Sequence, residues 1–90
     1  MKIIFTKRFE KQYESAPSQV QNGFKERLSL FLKDKNDVIL NNHILKGKLR
    51  EHRSINITGD WRAIFKESKR EEYVCFVLLG KHSKLYKQWI

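Results

Sequence analysis

Ninety residues and 10.9 kDa leave room for one small domain spanning residues 1–90. The chain is 40% hydrophobic and 12% aromatic, enough for a core, and its 32% of charged residues is mixed in sign, unlike a disordered tail. Nineteen Lys and Arg against ten Asp and Glu give +9 and a pI near 9.9, which favours polyanionic partners: nucleic acid or an acidic protein. The excess is larger in the second half, +6 over residues 46–90 against +3 over 1–45. A lone cysteine, Cys75, excludes an internal disulfide and a thiolate metal cluster. Charge returns at Lys7, too early for a signal peptide, and no apolar run nears the roughly 20 residues that span a bilayer. A soluble, cytoplasmic protein without membrane contact is expected.

In chain order, Lys2 to Thr6 reads as a short strand built on Ile3, Ile4 and Phe5. Thr6 is an N-cap for a helix bearing Phe9 and Tyr13 one turn apart, and Pro17 stops that helix before Ser15-Ala16. A second helix starts at Pro17 or Ser18, with Val20, Phe24, Leu28, Phe31 and Leu32 along one face. The pair forms a helical hairpin that lays its apolar stripe on a sheet. Asn36-Asp37 and Asn41-Asn42 mark a loop. From Leu49 to Ile57 the pattern alternates as a half-buried strand does, Thr58-Gly59-Asp60 turns, and Trp61, Ala63 and Phe65 form the inner side of the next strand. After a turn at Ser68-Lys69-Arg70-Glu71, Tyr73 to Leu79 reads as a strand buried on both faces and ended by Gly80. Lys81 to Ile90 is a basic, aromatic tail. The order β-α-α-β-β-β defines an α+β domain with a mostly antiparallel sheet.

Candidate chemistry centres on three histidines, His43, His52 and His82, whose spacing matches no zinc motif. Histidine exchanges protons near neutral pH, so His43 and His82 are candidates for acid–base work if their loops converge with Asp60 and Arg62 on one rim. A solvated surface position is the alternative for each, and His52 is assigned no role beyond it. Arg62 suits phosphate recognition or a salt bridge on a strand face. Asp60 suits a carboxylate role or a turn cap. Trp61 reads as core, whereas Tyr86, between Lys84 and Lys87, could stack on an unpaired base. Lys46 and Lys48 flank Gly47, where bare backbone lets a phosphodiester come close.

His43-Ile44-Leu45-Lys46-Gly47, Arg53-Ser54-Ile55-Asn56-Ile57, Asp60-Trp61-Arg62-Ala63-Ile64-Phe65 and Gly80-Lys81-His82-Ser83-Lys84-Leu85-Tyr86 together resemble the RelE/ParE toxin superfamily, in particular its YafQ-like branch. Four pieces in order, over about residues 38–86, carry the resemblance. It implies the toxin of a type II toxin–antitoxin system: a ribosome-dependent endoribonuclease, needing no metal or cofactor, that cuts mRNA in the A site by attack of a 2′-hydroxyl. Carried over by position, His43 and His82 would be the acid–base pair, Asp60 would orient a base, and Tyr86 would sit near the scissile bond. Arg62 would stabilise the charged transition state. Lys46, Lys48, Arg50, Asn56, Lys81 and Lys84 would contact RNA. The implied partners are an acidic antitoxin, the ribosome and mRNA, with the toxin itself monomeric and larger assembly through the antitoxin. Two positions depart from the family pattern: Asn56 replaces a histidine and Leu78 an arginine. They keep open a catalytically degenerate RNA- or ribosome-binding module. A ParE-like gyrase inhibitor is the other alternative, against which His43, Asp60 and His82 speak.

Overall fold

The computed structural model describes residues 1–89, with side chains through Leu85. The elements are β1 (Lys2–Phe5), α1 (Lys7–Ser15), α2 (Ser18–Lys33), β2 (His43–Ile44), β3 (Arg53–Asn56), β4 (Trp61–Ser68), β5 (Tyr73–Lys81) and α3 (His82–Trp89). Single 3₁₀ turns at Val38–Leu40 and Gly47–Leu49 flank β2. The sheet order is β1-β5-β4-β3-β2, parallel only between β1 and β5. The α+β architecture with a helical hairpin on a mostly antiparallel sheet is therefore as expected.

The local signals act through the expected physics. Thr6 is extended, its Oγ1 accepts from Phe9 N–H at 3.1 Å, and its hydroxyl donates to Val77 O at 3.2 Å. The cap thus starts α1 and ties it to β5. Ala16, ahead of Pro17, turns extended and ends α1. Val20, Phe24 and Phe31 of α2 are buried against the sheet, but Leu32 is 55% exposed. It lies about 100° around the helix from Phe31, off the buried stripe.

Five phenylalanine rings surround Phe76: Phe5, Phe9, Phe24, Phe31 and Phe65, at centroid distances of 5.3–6.0 Å. Phe5 stands at the rim, 37% exposed; the other rings, with Ile55, Ile57, Ala63, Val74 and Leu79, form the main core between hairpin and sheet. A smaller cluster of Leu45, Ile64, Leu78 and Leu85 covers the opposite face.

Three expectations are corrected. The strand placed from Leu49 begins only at Arg53, because Gly47–Leu49 coils into a 3₁₀ turn and Arg50-Glu51 continue the turn. Gly80 does not end β5, which runs on to Lys81 beside Trp61. The tail is helical, and Leu85, 4% exposed, pins α3 to the second face.

β5 also carries a bulge. Ile64 pairs with Leu78 and Phe65 with Phe76, leaving Val77 as an extra residue. Val74, Phe76 and Leu79 consequently face the hairpin, whereas Val77 and Leu78 pack on the second face.

Candidate active site

The second face bears most of the candidate residues. His43 pairs with Ser54 and Ser54 with Ile64, which pairs with Leu78, so these four form one row across β2, β3, β4 and β5. One pleat further along lies the row Asn56, Arg62 and Gly80. Strands alternate their side chains, so both rows face the same side as the buried Ile64 and Leu78.

Beyond the second row, Asp60 and His82 meet. His82 N–H donates to Asp60 O at 2.8 Å, extending the β4–β5 ladder by one residue, and Ser83 Oγ lies 3.5 Å from Asp60 Oδ2. The turn that presents Asp60 is held from three sides. Ile57 N–H donates to Trp61 O at 3.1 Å and Trp61 N–H to Thr58 O at 2.9 Å. Gly59 has φ +52°, a left-handed conformation that costs a glycine little. Arg27 of α2 donates from Nε to Ile57 O at 3.0 Å. Arg62 Nη1 donates to Gly59 O and Trp61 O, each at 2.9 Å. Arg62 is therefore tied to turn carbonyls rather than to a carboxylate, and its Nε and Nη2 hydrogens are the donors it has left for an anion.

Asn56 sits between Arg62 and β2, and its Oδ1 is buried with no hydrogen-bond partner among the described residues. A buried amide oxygen without a donor is costly, on the order of 1–3 kcal/mol, so Asn56 weakens the core of this end rather than strengthening it. Leu78 is buried in the apolar cluster, so its row offers no cation there.

His43 is half-buried, with Nδ1 2.7 Å from Asn41 O. Its strand is third from β5, and strand spacings of about 4.8 Å set the backbones about 14 Å apart. The sheet thus gathers Asp60, Arg62, Asn56 and His82 at one end and sets His43 apart, where the sequence reading expected His43 and His82 as a pair. Tyr86 lies within α3, but its side chain is outside the described residues.

Lys46, Lys48, Arg50, Lys81 and Lys84 are all exposed, the first three around Gly47 at φ +71°. Lys81, which alternates with Gly80, points to the hairpin side, whereas the first three lie in the connection between β2 and β3. His52, given no role from sequence, is half-buried beside them, with Nδ1 buried and unpartnered among the described residues. Burial pushes its pKa below 6.5, Lys66 pushes further down, and Glu51 opposes them. Gln12 of α1 also has a role that its sequence position does not signal: its Oε1 accepts the Leu79 N–H at 2.8 Å, where β5 has outrun β1. No spacing rule marks a helix glutamine for that task. Among the described residues no three His, Cys, Asp or Glu side chains group as metal ligands, and no helix is long and apolar enough to cross a membrane.

This sheet with its hairpin on one face and a polar end on the other is the fold of the RelE-like toxin superfamily. The crystal structure of YafQ from E. coli strain BL21(DE3) superposes with a TM-score of 0.77 over 93% of this chain and 96% of that one, at 19% identity. The YoeB/ParE toxin from Agrobacterium tumefaciens gives 0.76 over 91% and 99%, at 16% identity, and YafQ in the E. coli DinJ-YafQ toxin-antitoxin complex gives 0.75 over 93% and 94%, at 20%. A family model described as bacterial toxin of type II toxin-antitoxin system, YafQ, matches residues 1–87, and the chain belongs to that family. No curated protein matches it by sequence.

Proposed function

We propose that this toxin is a ribosome-dependent endoribonuclease of the cytoplasm that cuts mRNA in the A site without a metal or cofactor. The observation that carries the reading is the meeting of Asp60, His82 and Arg62 at one end of the second face, beside the unpartnered Asn56 oxygen and next in sequence to the exposed Lys81 and Lys84. In the reaction the 2′-hydroxyl gives its proton to His82 and its oxygen bonds to the adjacent phosphorus. The bond from phosphorus to the 5′ oxygen breaks, and that oxygen takes up a proton from water. A 2′,3′-cyclic phosphate and a 5′-hydroxyl result.

His82 is the proton-exchanging group of this cluster, and Asp60 fixes the backbone that presents it. Arg62 turns its remaining donors toward the charge that builds on phosphorus. His43, about 14 Å across the sheet, serves the neighbouring stretch of mRNA rather than the same phosphate. Lys46, Lys48, Arg50, Lys81 and Lys84 hold RNA phosphates, so binding weakens steeply with salt. An acidic antitoxin that orders on binding covers this basic surface and silences a toxin that is monomeric by itself.

The test is translation-coupled cleavage in a purified cell-free system, mapped by primer extension, with His82→Ala alongside. In-frame cuts that fall at least about 100-fold in the variant are expected for loss of an acid–base group. Intact mRNA with arrested translation would mean ribosome binding without catalysis, the outcome that Asn56 and Leu78 would then explain. Intact mRNA with undisturbed translation would overturn the reading and make gyrase the next target.

A further inference from the structure

At the edge of β5 beside the Asp60–His82 junction, a cleft of about 230 Å³ opens between α1 and the corner where β5 becomes α3. It is smaller than the roughly 300–1,000 Å³ of sites for drug-sized ligands, and of a size for one planar ring system. Its apolar lining comes from Ala16, Leu79 and Leu85. Half-buried Trp61 contributes an aromatic surface. Gln12 and Ser15 bring polar groups from α1, and the exposed Lys81 and Lys84 stand over the opening. The Gln12 amide is already oriented, since its Oε1 accepts the Leu79 N–H, which leaves its N–H₂ group to donate.

We propose that this cleft binds one unpaired nucleobase of an RNA strand whose phosphate lies at the Asp60–His82 junction. The inference rests on the ribonuclease reading for that phosphate, but the base site stands on the cleft's own chemistry. An aromatic surface beside lysines is the combination that holds single-stranded nucleic acid. Hydrogen-bonding side chains on α1 then distinguish base edges. Trp61 and Lys81 directly follow Asp60 and precede His82, and their strands alternate faces, so base and phosphate sites are one residue apart on both strands. One nucleotide can straddle the sheet end and occupy both. A base paired in a duplex cannot enter, so the cleft selects a splayed-out nucleotide.

The experiment uses the full chain carrying Trp89→Phe, which leaves Trp61 as the single tryptophan. Its fluorescence and the amide NMR signals of Ser15, Leu79 and Lys81 are followed during titration with 2′-O-methyl adenylate and uridylate hexamers, which cannot be cleaved through a 2′-hydroxyl. Inorganic tripolyphosphate is the charge control. The expected result is quenching and shifts with a hexamer but not with tripolyphosphate, and about tenfold weaker hexamer binding in Ser15→Leu, a substitution at the exposed end of α1 that narrows the cleft and spares the core. Equal responses to tripolyphosphate, unchanged affinity in Ser15→Leu, or shifts confined to residues 46–50 would overturn the base site. Each of those would leave the cleavage reading standing, whereas loss of cleavage with base binding intact would overturn only that reading.

Discussion

Gly80→Ala probes how α3 is held on the sheet. The backbone of Gly80 is within reach of any L-residue, so the substitution acts through space alone. A Cβ there would lie 3.2 Å from Leu85 Cδ2 and 3.3 Å from Leu85 Cγ. Carbon pairs prefer about 3.5–4.0 Å, so Leu85 must retreat by about 0.3–0.5 Å. Overpacking typically costs about 1–3 kcal/mol, and the lower end applies because Leu85 belongs to a single terminal helix that can shift. Replacing glycine by alanine returns about 0.4–1 kcal/mol through the unfolded chain. A net loss of about 0–1 kcal/mol in global stability is therefore expected, together with a clear loosening of α3. Hydrogen exchange of the α3 amides should rise, and denaturant unfolding should shift only slightly. Leu85→Ala removes the atoms in conflict, so adding it to Gly80→Ala should cost less than adding it to the unaltered chain, a coupling of about 1 kcal/mol. Unchanged α3 protection together with additive energies would refute the contact argument.

Phe76→Ala empties the centre of the aromatic cluster, where Phe76 is fully buried among five rings, and should cost about 3–5 kcal/mol by urea unfolding. That is about a quarter or more of the roughly 5–13 kcal/mol expected for 90 residues, and a loss below 1 kcal/mol would contradict the packing. His52 has a pKa below its unfolded value of 6.5, so the unfolded chain binds its proton first. Its contribution to stability is complete above pH 6.5 and is lost as pH falls from there through the folded value. Unfolding curves between pH 5 and 8 should show this slope, and His52→Gln should flatten it; an unaltered slope in the variant would reject the assignment.

The parts of the fold legible in sequence are those set by local chemistry and periodicity. Thr6 and Pro17 bound α1 because a cap and a proline act within a few residues. The run Tyr73–Leu79 announced its two-sided burial through composition. What stayed hidden depends on partners distant in sequence. The Val77 bulge follows from how Phe65 and Ile64 choose neighbours on β5, which no single strand displays. Alternation from Leu49 onward mimicked a strand where Gly47 allows a 3₁₀ turn. Asp60, Arg62 and His82 were named from motif and charge, but their adjacency is a property of register. The same register separates His43 from His82, although both flank similar glycine-containing segments in sequence.

The extra residue at Val77 acts as a phase shift in β5. Before it, even-numbered residues face the hairpin; after it, odd-numbered ones do. One strand therefore carries two independent patterns, an anchoring half in register with β1 and a working half that delivers Gly80 and His82. Deleting Val77 would make Phe76 and Leu78 adjacent while each kept its partner, Phe65 and Ile64, so both halves would hold their faces and only the local bend would go; inserting one residue between Leu78 and Leu79 would instead turn Leu79 outward and Gly80 inward. Beyond that residue the length of the strand is thus constrained more tightly than its side chains, and any graft of a new site end onto the fold must keep the residue count from Leu78 onward.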